Sequence, residues 1–241
     1  MRESEEQPLT FIEHLAELRR RLIILVASIL AGTILSYQFV SQITELVMRP
    51  AEGLRFVYLS PPELFLVYVK LSIIAGIMLT LPITLGQVWL FLKPGLHRRE
   101  KLYMGISLVA GVFFFAVGVV FAYAVILPLT IEFFTGIAFS GVEPMFSVAS
   151  YVGFITSILL SFGIVFEMPI VVVLLTQLNL LTAAGLKRNR KYIYLAIIVV
   201  AAVLSPPDLI SQVLLAGPMV LLFELSVLVA IVIGRRKAKK E

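Results

Sequence analysis

Eight stretches of this chain contain no Asp, Glu, Lys or Arg: residues 22–44, 71–92, 102–131, 144–166, 168–186, 192–207, 209–223 and 225–234. A helix needs roughly 20 mostly apolar residues to cross a hydrocarbon core of ~30 Å. Several of the stretches reach that length, so the chain is constrained to fold in a bilayer. Composition bears on this directly, because 60% of the 241 residues are hydrophobic and 15% are charged. Soluble domains hold about 45–50% apolar and about 25% charged residues. A water-soluble enzyme and a disordered chain are both excluded. The chain has no cysteine, which excludes disulfides, thiolate nucleophiles and Cys-ligated zinc or iron–sulfur centres.

The expected architecture is an all-α integral membrane protein with six transmembrane helices, at about 22–42, 63–92, 102–127, 150–178, 192–204 and 209–234. Pro82 is expected to kink the second, and Pro128 to stop or bend the third. Glu167 and Pro169 interrupt the fourth. The fifth has thirteen residues before Ser205-Pro206-Pro207-Asp208, about 20 Å of helix and less than the hydrocarbon thickness. A re-entrant hairpin, a tilted pair and a locally thinned bilayer all fit, and a short hairpin crossing a thinned membrane is preferred. Arg19, Arg20 and Arg21 precede the first run as in a signal peptide, but 23 uncharged residues follow. A cleavable apolar region has only ~7–15 residues, so a retained helix is expected. Residues 1–241 read as one polytopic domain without internal repeats.

Orientation follows from the cations. Segments 1–21, 93–101, 187–191 and 235–241 hold 17 Lys and Arg, against 3 in the alternate segments. The positive-inside rule then places both termini in the cytoplasm. The net charge of +5 therefore reports orientation and contact with anionic membrane lipid, not nucleic acid.

Residues 1–21 depart from this pattern, with five Glu against four Arg. Thr10 and Glu13 form a capping box, and Phe11, Leu15, Leu18 and Leu22 recur at helical spacing. An amphipathic helix lying on the cytoplasmic surface and running into the first span is expected here. It serves as an interfacial anchor, and its carboxylates make an acidic patch suited to a cationic peptide that the basic remainder repels. Glu100 alone is a helix-start acid favoured by the dipole. Beside Glu13 and Glu17 it becomes a second carboxylate for guanidinium binding.

Glu167 follows 23 uncharged residues and precedes Lys187 by 20 positions. An ionised group at mid-bilayer costs at least ~2.5–3.5 kcal/mol, so such residues face a cavity or a partner. Glu167 is either a polar site for a partner helix or substrate, or a neutral, hydrogen-bonded structural residue. The same reasoning applies to Glu224. Both histidines, His14 and His97, lie outside the spans, and no HExxH, GxGxxG or GxxxxGK[ST] is present. No catalytic residue, cofactor or metal site is expected.

Six groups of residues then align in order: His14-Leu15-x-Glu17-Leu18-Arg19-x-Arg21 with Pro50; Ser60-Pro61-x-Glu63-x-Phe65; Gln87-Val88-Trp89-x-Phe91-x-x-Pro94-x-Leu96 followed by Glu100; Phe162-Gly163-x-x-Phe166-Glu167-x-Pro169; Ser205-Pro206-Pro207-Asp208 with Ser211-Gln212; and Phe223-Glu224. In these the chain resembles the TatC family, the polytopic subunit of the twin-arginine protein translocase. The resemblance implies a receptor for twin-arginine signal peptides and a proton-motive-force-driven route for folded proteins across the bacterial inner membrane. It implies single-span TatA and TatB-like partners within a multimeric complex. It implies a glove-like concave bundle whose fifth and sixth helices are short. Carried onto this chain, Glu17 and Glu100 meet the two guanidiniums, with Arg19, Phe91 and Leu96 in the same surface. Glu167 and Gln212 are the intramembrane partner site. Pro50, Glu63, Phe65, Pro94, Asp208 and Glu224 are structural or coupling positions. Two rival readings stay open: a proton-coupled small-molecule transporter using Glu167 and Glu224 as a relay, and a purely structural membrane subunit.

Overall fold

A computed structural model of the chain describes residues 11–93, 98–136, 145–204 and 209–238. Pro94, Leu96 and Asp208 lie outside these residues. Helix α1, Phe11–Gln38, is continuous for 28 residues, so the amphipathic segment and the first apolar run form one rod of about 42 Å. The chain then turns through 78° at Phe39 into α2, Val40–Met48. Helix α2 lies in what the charge pattern marked as loop. It buries Val40 and Val47, and Glu45 had hidden its apolar face from a search for uncharged runs. Pro50 follows in a short 3₁₀ turn, Arg49–Ala51.

Helices α3, Glu63–Leu79, and α4, Leu81–Leu92, meet at a 50° bend. Pro82 sits in the first turn of α4, where its missing N–H costs nothing but the straight continuation of α3 is blocked. The bend expected at Pro82 is therefore present. Pro128 behaves differently. Helix α5, Arg98–Phe121, passes through a π segment, Ala122–Ile126, into α6, Leu127–Gly136. The Leu127 N–H reaches the Ala122 carbonyl, five residues back. This widened turn takes up the ring of Pro128, which would clash in regular α-geometry. Of the stop or bend expected at Pro128, the stop is corrected, since the helix runs on to Gly136.

Helices α7, Val148–Phe166, and α8, Met168–Gln177, are interrupted at Glu167, with Pro169 opening α8. A short α9, Ala183–Arg188, is capped by the Thr182 hydroxyl, which accepts from the Gly185 N–H at 3.1 Å. Helix α10, Arg190–Leu204, has 15 residues, about 22 Å. Helix α11, Leu209–Ala238, has 30. The expectation of a short last helix is corrected, because Gln212–Gly234 alone supplies 23 apolar-helix residues. Pro218 lies inside α11 without ending it. Among the described residues, three helices have the length and composition to cross a membrane, or up to five when each bent pair counts as one, and the described part of α10 falls short of that length.

Among the described residues, one ordered feature is not helical. Strands β1, Arg55–Val57, and β2, Met145–Ser147, pair in parallel with Phe56 opposite Phe146. This small ladder ties the segment before α3 to the start of α7. The ladder is reinforced by Glu63, which is 7% exposed. Its Oε2 accepts from the Leu59 and Ser60 N–H groups at 2.5 and 3.3 Å. Its Oε1 accepts from the Ser147 hydroxyl at 2.8 Å and the Ala149 N–H at 3.1 Å.

The core is centred on α7, which packs against α3, α5 and α10 and buries Val152, Ile155, Ile158 and Phe162. Glycine permits its closest approach: a Cβ at Gly118 of α5 would lie 2.5 Å from the Phe162 carbonyl oxygen. The α1–α3 crossing uses the same device, with Gly32 against Gly76. Helices in lipid gain no hydrophobic drive from meeting each other, so dispersion at such close crossings holds them together.

Candidate functional site

Helix α4 packs against both α1 and α5. It therefore joins the element carrying Glu17 to the element whose first turn carries Glu100. On the α1 side, the His14 ring stacks on Phe91 with centroids 4.4 Å apart. Glu17 is half-buried and already holds a guanidinium. Arg21, one turn on, donates from Nε to Glu17 Oε1 at 2.7 Å, and its Nη2 also reaches that oxygen. The third contact comes from α4, where Gln87 Oε1 accepts from Arg21 Nη1 at 3.1 Å. Beside this cluster runs an apolar groove of about 350 Å³, lined by Leu18, Leu22, Leu25, Val88 and Phe91, with Arg21 and Gln87 at its wall. Arg19 is exposed and lies with Ala16, Arg20, Ile23 and Ile24 along a separate hollow. Motif matching included Arg21 and Gln87 but assigned neither a role. The spacing of four residues between Glu17 and Arg21 was the available signal.

The second polar site lies between α4, α5 and α8. A cavity of about 160 Å³ is walled by Leu85, Val88, Trp89, Met104, Leu108 and Glu167, among others. Glu167 Oε1 and Trp89 Nε1 are both buried there without a hydrogen-bond partner among the described residues. Gly111 makes the space, since a Cβ on it would lie 2.8 Å from Glu167 Oε2. The indole N–H was not anticipated from the sequence. Trp89 also carries Lys93 over its ring at 5.1 Å, and Val88 borders this cavity and the α1 groove alike.

The remaining expected residues are dispersed. Gln212 does not join Glu167; its Nε2 donates to the Ile198 carbonyl across the α10–α11 pair at 3.2 Å. Glu224 is engaged too, accepting from Arg190 Nη2 at 2.6 Å and the Tyr194 hydroxyl at 2.5 Å. Phe65 is 61% exposed on α3. Pro50 and Glu63 belong to the opposite region described above.

Two polar sites on a mainly helical, apolar bundle define the class as a polytopic membrane protein. The family description "Sec-independent protein translocase protein (TatC)" matches residues 13–218. A curated relative of that name from Desulforapulum autotrophicum is 35% identical over 245 residues, spanning 100% of this chain and 90% of its own length. Another, from Magnetococcus marinus, is 36% identical over 98% of this chain and 89% of its own. A crystal structure titled twin arginine translocase receptor TatC superposes with a TM-score of 0.83 at 33% identity, covering 92% of this chain and 100% of that one. The chain belongs to the TatC family of Sec-independent protein translocase proteins. It is a membrane translocase component and not an enzyme.

Proposed function

We propose that this chain is the receptor for twin-arginine signal peptides and the core subunit that passes folded proteins across the bacterial inner membrane. In this reading it crosses the membrane six times as one polytopic domain, with both termini cytoplasmic. The proton-motive force drives transport. TatA and TatB-like single-span subunits assemble with it into a multimeric complex. The observation that carries the reading is Glu17, a half-buried carboxylate seated against the guanidinium of Arg21, which itself lines an apolar groove. A peptide with paired arginines followed by an apolar stretch matches both parts. Glu17 takes one guanidinium, and Glu100, on the helix that α4 joins to α1, takes the other. The apolar stretch lies against Leu18, Leu22 and Phe91. Glu167 and its cavity then receive a polar group of a partner helix within the membrane.

The test compares Arg-Arg and Lys-Lys peptides on the purified chain and on Glu17→Ala and Glu100→Gln. Charge-assisted hydrogen bonds are worth ~1.5–3 kcal/mol, so each substitution weakens Arg-Arg binding by roughly tenfold or more. Lys cannot form the planar fork, so the Lys-Lys peptide binds less tightly to the unaltered chain. Equal affinity for both peptides, or no loss in either variant, refutes the reading.

A further inference from the structure

The Glu17 carboxylate is not open to an incoming arginine as it stands. Arg21 Nε and Nη2 converge on the single oxygen Oε1, and no described residue donates to Oε2. A guanidinium binds a carboxylate most strongly as a fork, with one N–H on each oxygen. A second arginine therefore cannot complete its fork on Glu17 while Arg21 stays. An ammonium, which bonds at a single point, needs only Oε2 and leaves Arg21 in place.

Resting on the signal-peptide reading above, we infer that Arg21 is a resident guanidinium which the peptide's arginine displaces and which expels it on return. Three features make Arg21 fit for exchange. It stands one helical turn from Glu17, so it returns without any change in the fold. Its Nη1 contact to Gln87 at 3.1 Å is independent of Glu17, so the displaced side chain keeps a partner. The Arg21 and Glu17 side chains are 20% and 24% exposed, so the pair is held firmly enough to compete yet accessible from outside. Arg21 thus acts as a specificity-determining residue that keeps peptide binding reversible. It lowers affinity for an arginine peptide more than for a lysine peptide, because only arginine must evict it.

The consequence runs against simple expectation. Removing the ion-pair partner of the binding carboxylate should tighten binding, not weaken it. Pairs of this geometry at partial exposure contribute modestly, so Arg21→Gln should raise affinity for an Arg-Arg peptide by roughly two- to fivefold, mostly through slower dissociation. The Lys-Lys peptide should gain less. Arg20→Gln removes the same charge from the neighbouring hollow and should shift both peptides equally. Arg21→Lys keeps the charge but loses the fork, and should move the Arg-Arg peptide in the same direction as Arg21→Gln. These variants are measured by peptide binding and dissociation on the purified full chain, with thermal unfolding confirming the fold. If Arg21→Gln does not fold, Arg21→Lys carries the test. Weaker or unchanged Arg-Arg binding in a folded Arg21 variant overturns the inference, and so does a gain matched by Arg20→Gln. That result is distinct from failure of the receptor reading, which appears in the unaltered chain as equal affinity for the two peptides.

Discussion

Replacing Gly76 with alanine tests the closest helix crossing in the half of the molecule that carries Glu17 and its groove. The new Cβ would lie 2.5 Å from the Thr33 nitrogen and 2.8 Å from both Thr33 Cα and Oγ1. Ordinary carbon contacts are about 3.5–4.0 Å, so α1 and α3 must part by about 1 Å. Two of the obstructing atoms belong to backbone and cannot rotate aside. Gly32 faces the same crossing, with Thr80 Cγ2 at 2.7 Å and the Gly76 carbonyl oxygen at 2.9 Å from its own absent Cβ. The Thr80 hydroxyl also donates to that carbonyl at 2.8 Å, so displacement at Gly76 reaches the α3–α4 bend. Overpacking of this kind costs about 3 kcal/mol at the upper end of its usual range. Alanine's better helix propensity returns about 1 kcal/mol. The net loss of about 2 kcal/mol is roughly a 30-fold change in the folding equilibrium. Thermal unfolding in detergent measures it. Gly86→Ala supplies the comparison, because nothing lies within 4 Å of its added Cβ and only the propensity gain of about 1 kcal/mol remains. If Gly76→Ala unfolds at or above the temperature of the unaltered chain, the α1–α3 crossing is not the tight contact described.

Two other experiments address the regions away from the crossing. Glu63→Gln keeps one acceptor oxygen and turns an amide N–H₂ toward groups that themselves donate, so amide exchange at Leu59, Ser60 and Ala149 should quicken while α5 stays protected; unchanged exchange there would remove Glu63 from its tethering role. A double-mutant cycle of Arg190→Gln with Glu224→Gln should show a coupling of about 0.5–1 kcal/mol in stability, discounted for the 40% and 31% exposure of the two side chains; zero coupling would mean that the pair does not fasten α10 to α11.

Apolar runs made the main helices legible, because a bilayer leaves the backbone no alternative to internal hydrogen bonding. Pro82 could be read as a bend for the same reason that Pro128 could not be read as continuous. Both lack an N–H, but the remedy at Pro128 is a π turn built by residues 122–126, which no local composition announces. Helix α2 and the β1–β2 ladder were missed because each is too short for periodicity to register. The acidic N-terminal segment points to Glu17 and the family motif to Phe91, yet neither points to Arg21 as the occupant of Glu17. That contact required knowing that α4 brings Gln87 alongside, 66 residues away in sequence. Gln212 and Glu167 were grouped as one site because both are polar and within apolar runs. Chain position did not reveal that Gln212 faces the Ile198 carbonyl on α10, whereas Glu167 faces α4 and α5.

Helix α4 decides how these sites can be probed separately. Gln87 and Phe91 border the groove against α1, while Leu85 and Trp89 border the Glu167 cavity. Val88 borders both, so the two sites share a wall one side chain thick. A change in volume at Val88 repacks the two together and cannot be assigned to either. Arg21 lines the groove and Gly111 lies against Glu167, each on a different neighbour of α4. A substitution at Arg21 is therefore the cleaner reporter of the proposed peptide exchange, and one at Gly111 of the Glu167 carboxyl.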